Sequence, residues 1–184
     1  QYGHLLAVDV GFDRQHLVSL PAAAVGRQYG VFKQALLAHP EITGVTRCSH
    51  EPCVGDSHGI QIRKPGADTD ASMSILYTDA DYVRTLDLKL ADGRGFDPER
   101  PADAHQAVLL NQAALRQLGD DYGVGQPVEL FFRWQGQEIE RYKSTVVGIV
   151  EDFHHDPLYT SVRPMASASP TTRGASASCW CAWV

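Results

Sequence analysis

The run STVVGIVEDFHHDPLYTSVRP, residues 144–164, decides how the rest of the chain is read. Thr145 to Val150 is apolar and β-branched around a single Gly148, the pattern of a strand buried on much of both faces. At Glu151 the side chains turn acidic and imidazole, and Pro157 bars regular sheet pairing. A polar cluster at the C-terminal end of a buried strand is where catalysis would be sought. It is equally how a strand leaves a core.

Composition narrows the choice. The 184 residues are 43% hydrophobic and 21% charged, which suits one medium domain or two small subdomains sharing a core. A formal net charge of -6, with no basic cluster larger than Arg63-Lys64, argues against a nucleic-acid surface. No apolar run is long enough to span a bilayer. No leader with a small-residue cleavage site opens the chain, which begins at Gln1 and reads as a piece of something longer. Cys48 and Cys53 are spaced to close a small disulfide loop, whereas Cys179 and Cys181 are too close for an easy bridge. Neither pair fits a zinc framework.

Working outward, Glu138 to Val150 is a strand returning from a Gln135-Gly136 turn, and Val128 to Phe132 is its hairpin partner. Before it, Ala107 to Leu110 is a strand and Asn111 is an N-cap. Leu110 and Leu115 are placed as a staple on the helix Gln112 to Leu118, which Gly119 ends. The polar, proline-bearing segment Asp97 to Ala104 is the best internal boundary. Ahead of it, His58 to Lys64 and Ala71 to Tyr77 alternate as an antiparallel hairpin. Thr78 or Asp79 then caps a short helix that buries Tyr82 and Leu86, and Leu88 and Leu90 lead into a turn-rich exit.

Nearer the N-terminus, Gln1 to Val10 reads as a short helix and His16 to Leu20 as a strand stopped by Pro21. Ala23 to Ala38 is the strongest helix, with Val25, Tyr29, Phe32 and Leu36 on one stripe and Arg27, Lys33 and Gln34 facing away. Gly44 to Arg47, with Val45 inward, completes a compact β-α-β unit. From Met165 the chain is low-complexity, expected to be mostly disordered, and as readily a junction scar or shifted frame as a natural tail.

Four stretches, in order, resemble the MacB-like periplasmic core domain of FtsX/MacB-type ABC transporter permeases. They are Asp9-Val10-Gly11-Phe12-Asp13; Asp81-Tyr82-Val83-Arg84-Thr85-Leu86 with Gly93-Arg94-Gly95-Phe96; Val108-Leu109-Leu110-Asn111 with Gly125-Gln126-Pro127-Val128; and Val146-Val147-Gly148-Ile149-Val150-Glu151-Asp152-Phe153-His154. The resemblance implies an α+β fold, with a porter-like α/β subdomain and an inserted, mostly β, Sabre-like subdomain. Carried onto this numbering, residues 1–16 are a juxtamembrane segment, 17–102 the first part of the porter, 103–164 the Sabre part and 165–184 the tail. The strand and helix with which the family returns to the porter are not visible in that tail. The implied role is a non-catalytic periplasmic domain of a bacterial inner-membrane permease. It would couple a separate cytoplasmic ABC ATPase to efflux or lipoprotein extraction by mechanotransmission. The implied partners are a second permease copy, a periplasmic adaptor and a lipoprotein cargo, with no cofactor.

Asp152, His154, His155 and Asp156 have the donor types for a divalent metal, but extended backbone turns alternate residues to opposite faces, leaving Asp152 and His154 as the pair able to converge. The third ligand of a catalytic metal is missing, so a metal-dependent hydrolase centred on Asp152 and His154 is the alternative, and local structure the preferred reading. His50, Cys53 and His58 share a polar loop. No Gly-x-Ser-x-Gly elbow and no complete phosphate-binding glycine loop occurs, so no ATP site is expected on this chain. Phe131, Phe132 and Trp134 are either core or an exposed partner patch. A ligand-sensing module that binds a small peptide between subdomains is the third reading.

Overall fold

The computed structural model describes residues 10–12, 16–21, 28–51, 53, 58–119, 121–135, 137–169 and 179–183, the side chains of 21, 134 and 179–183 excepted. In chain order the elements are β1 (Leu17–Pro21), α1 (Tyr29–Leu37), β2 (Gly44–Cys48), β3 (His58–Arg63), β4 (Ala71–Tyr77), α2 (Tyr82–Thr85) and β5 (Leu90–Gly93). There follow α3 (Asp103–Gln106), β6 (Ala107–Asn111), α4 (Gln112–Leu118), β7 (Pro127–Trp134), β8 (Gln137–Val150), β9 (Met165–Ala168) and β10 (Cys179–Trp183). The fold is α+β: a mixed sheet and a small antiparallel one, with few helices.

One sheet has the order β5-β8-β6-β9-β4-β3-β7, and β7 pairs again with β8. The pairing therefore runs β8-β6-β9-β4-β3-β7 and back to β8, a closed ring with β5 laid on β8. Closure removes the exposed edges that a flat sheet would leave. Ile60, Ile62, Met73, Ile75, Val108, Leu110, Val128, Leu130, Val146 and Ile149 form its core, with Ala114 and Leu118 of α4 packed among them. The second sheet is small, β1-β10-β2, both outer strands antiparallel to β10. Between it and the ring, Cys48, Leu76, Tyr82, Leu86, Leu88, Val150, Phe153 and Met165 make a second cluster.

The opening stretch sits where these parts meet. Thr145 to Val150 of β8 pairs in parallel with β6, with a shift of register at Val147, so that Val146 and Ile149 both reach the ring's core while Val150 reaches the second cluster. Gly148 is required by β5: a Cβ there would lie 2.2 Å from the Arg94 carbonyl oxygen. Gly93, at φ +73° and paired with Gly148, would place its own Cβ 2.5 Å from Val147 O. Two strands thus meet backbone to backbone, which only glycine permits.

Several expectations are corrected. The low-complexity tail is not disordered where it is described. Met165–Ala168 is a fully buried strand between β6 and β4, and Cys179–Trp183 is the central strand of the small sheet. Ala166, Ser167 and Ala168 look like linker residues by composition, but small side chains are what a strand at a crowded centre needs. The ring takes β3 and β4 from before residues 102 and 103 and β6 to β8 from after them, so Asp97 to Ala104 is a connection inside one sheet. The turn-rich exit expected after Leu88 contains the strand β5, whose four residues are all exposed and whose strand character comes from main-chain pairing alone.

Helix α1 begins at Tyr29 and buries no residue completely. Its Lys33 does not face away but is half-buried against Asp79 and Asp81. The helix expected over Gln1 to Val10, the stripe position Val25 and Arg27 lie outside the described residues. The Asn111 cap, the hairpin of β3 and β4 and the burial of Tyr82 and Leu86 are as the sequence reads.

Candidate functional site

The polar run that leaves β8 is divided among three structural tasks. Asp152 Oδ1 accepts from the Ala113 backbone N–H at 2.8 Å, and Oδ2 accepts from Arg116 Nη2 at 2.6 Å. A carboxylate at the N-terminal turn of α4 satisfies an otherwise orphaned donor and complements the helix dipole. Phe153 is buried edge-to-face against Phe12, and the His154 backbone N–H donates to Val10 O at 2.8 Å. Gly11 fits beneath, since a Cβ there would come within 2.8 Å of Asp152 O and Phe153 Cβ. The N-terminal strap Val10 to Phe12 is thus held by the run itself.

His155 and Asp156 are buried, with His155 Nε2 lying 3.0 Å from Asp156 Oδ2, and Arg163 Nε donating to the same oxygen at 2.7 Å. Burial pushes the His155 pKa below its ordinary value, against the pull of Asp156. The imidazole sits in a packed interior, with Nδ1 facing Phe153 O at 3.4 Å.

Asp152 and His154 are not brought together with a third donor. Among the described residues, no group of three or more His, Cys, Asp or Glu side chains is placed to hold a metal ion. Of the loop set, His50 Nδ1 contacts Ser49 Oγ at 3.0 Å, and Cys53 Sγ donates to His154 O at 3.1 Å. His58 is exposed at the start of β3. Cys48 and Cys53 are thiols, Cys48 buried in the second cluster, so the small loop between them is not cross-linked.

Phe131 and Phe132 are both buried and form no exposed patch. Phe132 joins the ring's core, while Phe131 on the opposite face is covered by the guanidinium groups of Arg63, Arg133 and Arg141 at 5.0, 5.4 and 5.5 Å from its centroid. Asp70, Glu129 and Glu138 pair with those arginines. The Arg63 hydrogen bond holds the Asp70 carboxyl below the usual carboxylate range.

Two further clusters went unread in the sequence. Asp79 accepts from the hydroxyls of Tyr29 and Thr46 and lies 3.4 Å from Lys33 Nζ, tying α1 and β2 to the turn after β4. Burial, then the neighbouring Asp79 charge, drives the Tyr29 hydroxyl pKa far above its normal value. Asp103, also buried, accepts from Arg94 Nη2 at 3.0 Å and from the Asp97 N–H at 2.9 Å, and the Arg94 hydrogen bond holds its pKa down. Only the spacing of Asp97 and Asp103 around two prolines hinted at such a clamp.

Residues 14–176 match the MacB-like periplasmic core domain. The chain belongs to that family. The periplasmic region of MacB from Actinobacillus actinomycetemcomitans superposes with a TM-score of 0.61 at 13% identity, covering 98% of this chain and 79% of that one. The extracellular domain of the noncanonic ABC-type transporter YknZ from Gram-positive bacteria gives 0.56 at 12% identity, covering 91% and 81%. At these identities the two likenesses concern the fold. No curated protein matches by sequence. No helix among the described residues is long and apolar enough to cross a membrane.

Proposed function

We propose that this MacB-like domain is the extracytoplasmic part of an ABC transporter permease. In this reading it catalyses no reaction and passes movement from a separate cytoplasmic ATPase to a substrate or to periplasmic partners. The observation that carries the reading is the family match over residues 14–176. The architecture suits the role. The closed ring is a stiff body, and the Arg94–Asp103 pair ties the Asp97 to Ala104 connection down. The small sheet meets the ring through Ser49 N to Tyr77 O at 2.8 Å, Asp79 N to Arg47 O at 3.2 Å and the Asp79 cluster. Transmission of force asks for rigid parts with few, defined joints.

The division of labour that follows places the joint between the small sheet with α1 and α2, as the porter-like part, and the ring, as the Sabre-like part. Partners would be a second permease copy and a periplasmic adaptor or lipoprotein cargo, outside a bacterial inner membrane. The test is reconstitution of the full-length permease with its ATPase in liposomes. Replacing residues 17–168 by a flexible linker is expected to leave basal ATP hydrolysis and abolish transport. Transport that survives the replacement would overturn the proposal.

A further inference from the structure

Nine arginines lie among the described residues, and eight of them pair with a carboxylate: Arg63, Arg84, Arg94, Arg100, Arg116, Arg133, Arg141 and Arg163. Arg47 is the exception. It projects from β2, half-buried, with its guanidinium stacked 4.9 Å from the Tyr29 ring centroid. Its Nε is shielded from solvent and makes no hydrogen bond among the described residues. A shielded guanidinium donor without an acceptor is costly, and arginine is the side chain best shaped to hold a carboxylate by two parallel bonds.

Arg47 also lines a cleft of about 170 Å³ between the small sheet and the ring. Thr78 and Asp79, Ser169 just after β9, and residues of the segment from Phe96 to Ala104 form its other walls. Charge around it is otherwise balanced, because Lys33 and Arg84 together offset Asp79 and Asp81, Arg100 offsets Asp97 and Arg94 offsets Asp103. One positive charge is therefore left over. Phe96, Pro98, Pro101 and Ala104 supply apolar surface beside it. This combination of a concave apolar wall and one unmatched charge is what selects a small amphiphilic anion.

We infer that this cleft binds a carboxylate bearing a small apolar substituent, held by Arg47 against the Phe96 to Ala104 wall. Two sources share that chemistry, a free organic acid and the C-terminal residue of a peptide. The inference goes beyond the transport role and stands or falls separately, since it concerns equilibrium binding by this domain alone. Because the walls come from both sheets, an occupant would bridge the joint that the proposed function assigns.

The experiment is an NMR titration of the ¹⁵N-labelled 184-residue chain with three probes: isobutyrate, N-acetyl-alanine and N-acetyl-alanine amide. Isobutyrate stands for the free acid and N-acetyl-alanine for the peptide terminus. At least one of the two carboxylates is expected to shift Arg47, Thr78 and Ala104 resonances saturably, and which of them binds more tightly names the source. The amide should bind at least about tenfold more weakly than its acid, as expected for loss of a charged hydrogen-bonding partner. Arg47→Gln should weaken carboxylate binding by a similar factor and Arg47→Lys by less, with both variants keeping the native spectrum elsewhere. No saturable shift with either acid, equal binding of acid and amide, or unchanged binding in folded Arg47→Gln would each overturn the inference.

Discussion

Replacing Asn111 by alanine is expected to be among the most damaging single changes available to this fold. Asn111 is fully buried, and its Oδ1 accepts from Ala114 N and Met165 N, each at 2.9 Å, while Nδ2 donates to Arg163 O at 2.9 Å. One side chain therefore caps α4, fixes the start of β9 and holds the exit run after β8. Alanine leaves two buried N–H donors without acceptors, at about 1–3 kcal/mol each, with the more exposed carbonyl adding less. The expected loss is about 4 kcal/mol, a large share of the stability of an ordinary domain. For a domain of this size that corresponds to a melting temperature lower by about 8–16 °C. Urea unfolding followed by circular dichroism measures the change, with Asn111→Ser as an intermediate because its hydroxyl can still cap α4 but is too short to reach β9 as well. A loss below about 1 kcal/mol for the alanine variant would mean that these three bonds do not hold the fold together, since that is the scale of a surface substitution.

Other consequences follow from the same contacts. Gly148→Val should destabilise by more than about 2 kcal/mol in urea unfolding, because Cβ would meet the Arg94 carbonyl at 2.2 Å and backbone cannot yield cheaply. His155 has a folded pKa below 6.5, so the unfolded chain takes up its proton first; stability should be complete above pH 6.5 and decline as pH falls below it, and His155→Leu should flatten that decline in pH-dependent unfolding. Asp103 is depressed below 3.8, so its contribution is present above that pH and is lost as pH falls through the folded value; Asp103→Asn should remove that acid-limb loss in the same titrations. Elemental analysis of the purified protein should show no stoichiometric metal, whereas metal lost on His154→Ala would favour the hydrolase reading.

Local chemistry made much of this legible. Asn111 announced its helix because its side chain competes for backbone donors, and β3 and β4 announced themselves by alternation of Ile60, Ile62, Met73 and Ile75. The C-terminal elements were illegible for a physical reason. Ala166, Ser167 and Ala168 carry no hydrophobic signal of their own and become buried only because β6 and β4 approach from either side. The same holds for β5, whose place depends on Gly148 opposite it. For the candidate site, the sequence showed which residue types follow Val150 but not that Asp152 would be claimed by α4 and Asp156 by Arg163. Arg47 was invisible, since the lack of a partner can be recognised only once its neighbours are placed.

In the proposed role the residues after Val150 finish a β-element and perform no chemistry. ATP-driven transport by the full-length permease in proteoliposomes, compared between wild type and His154→Ala, tests it most directly. A folded variant with transport within about twofold of wild type is expected, as for a surface change of under half a kcal/mol. A variant that folds normally yet loses about a hundredfold or more of its transport, the scale of a removed acid–base group, would contradict it.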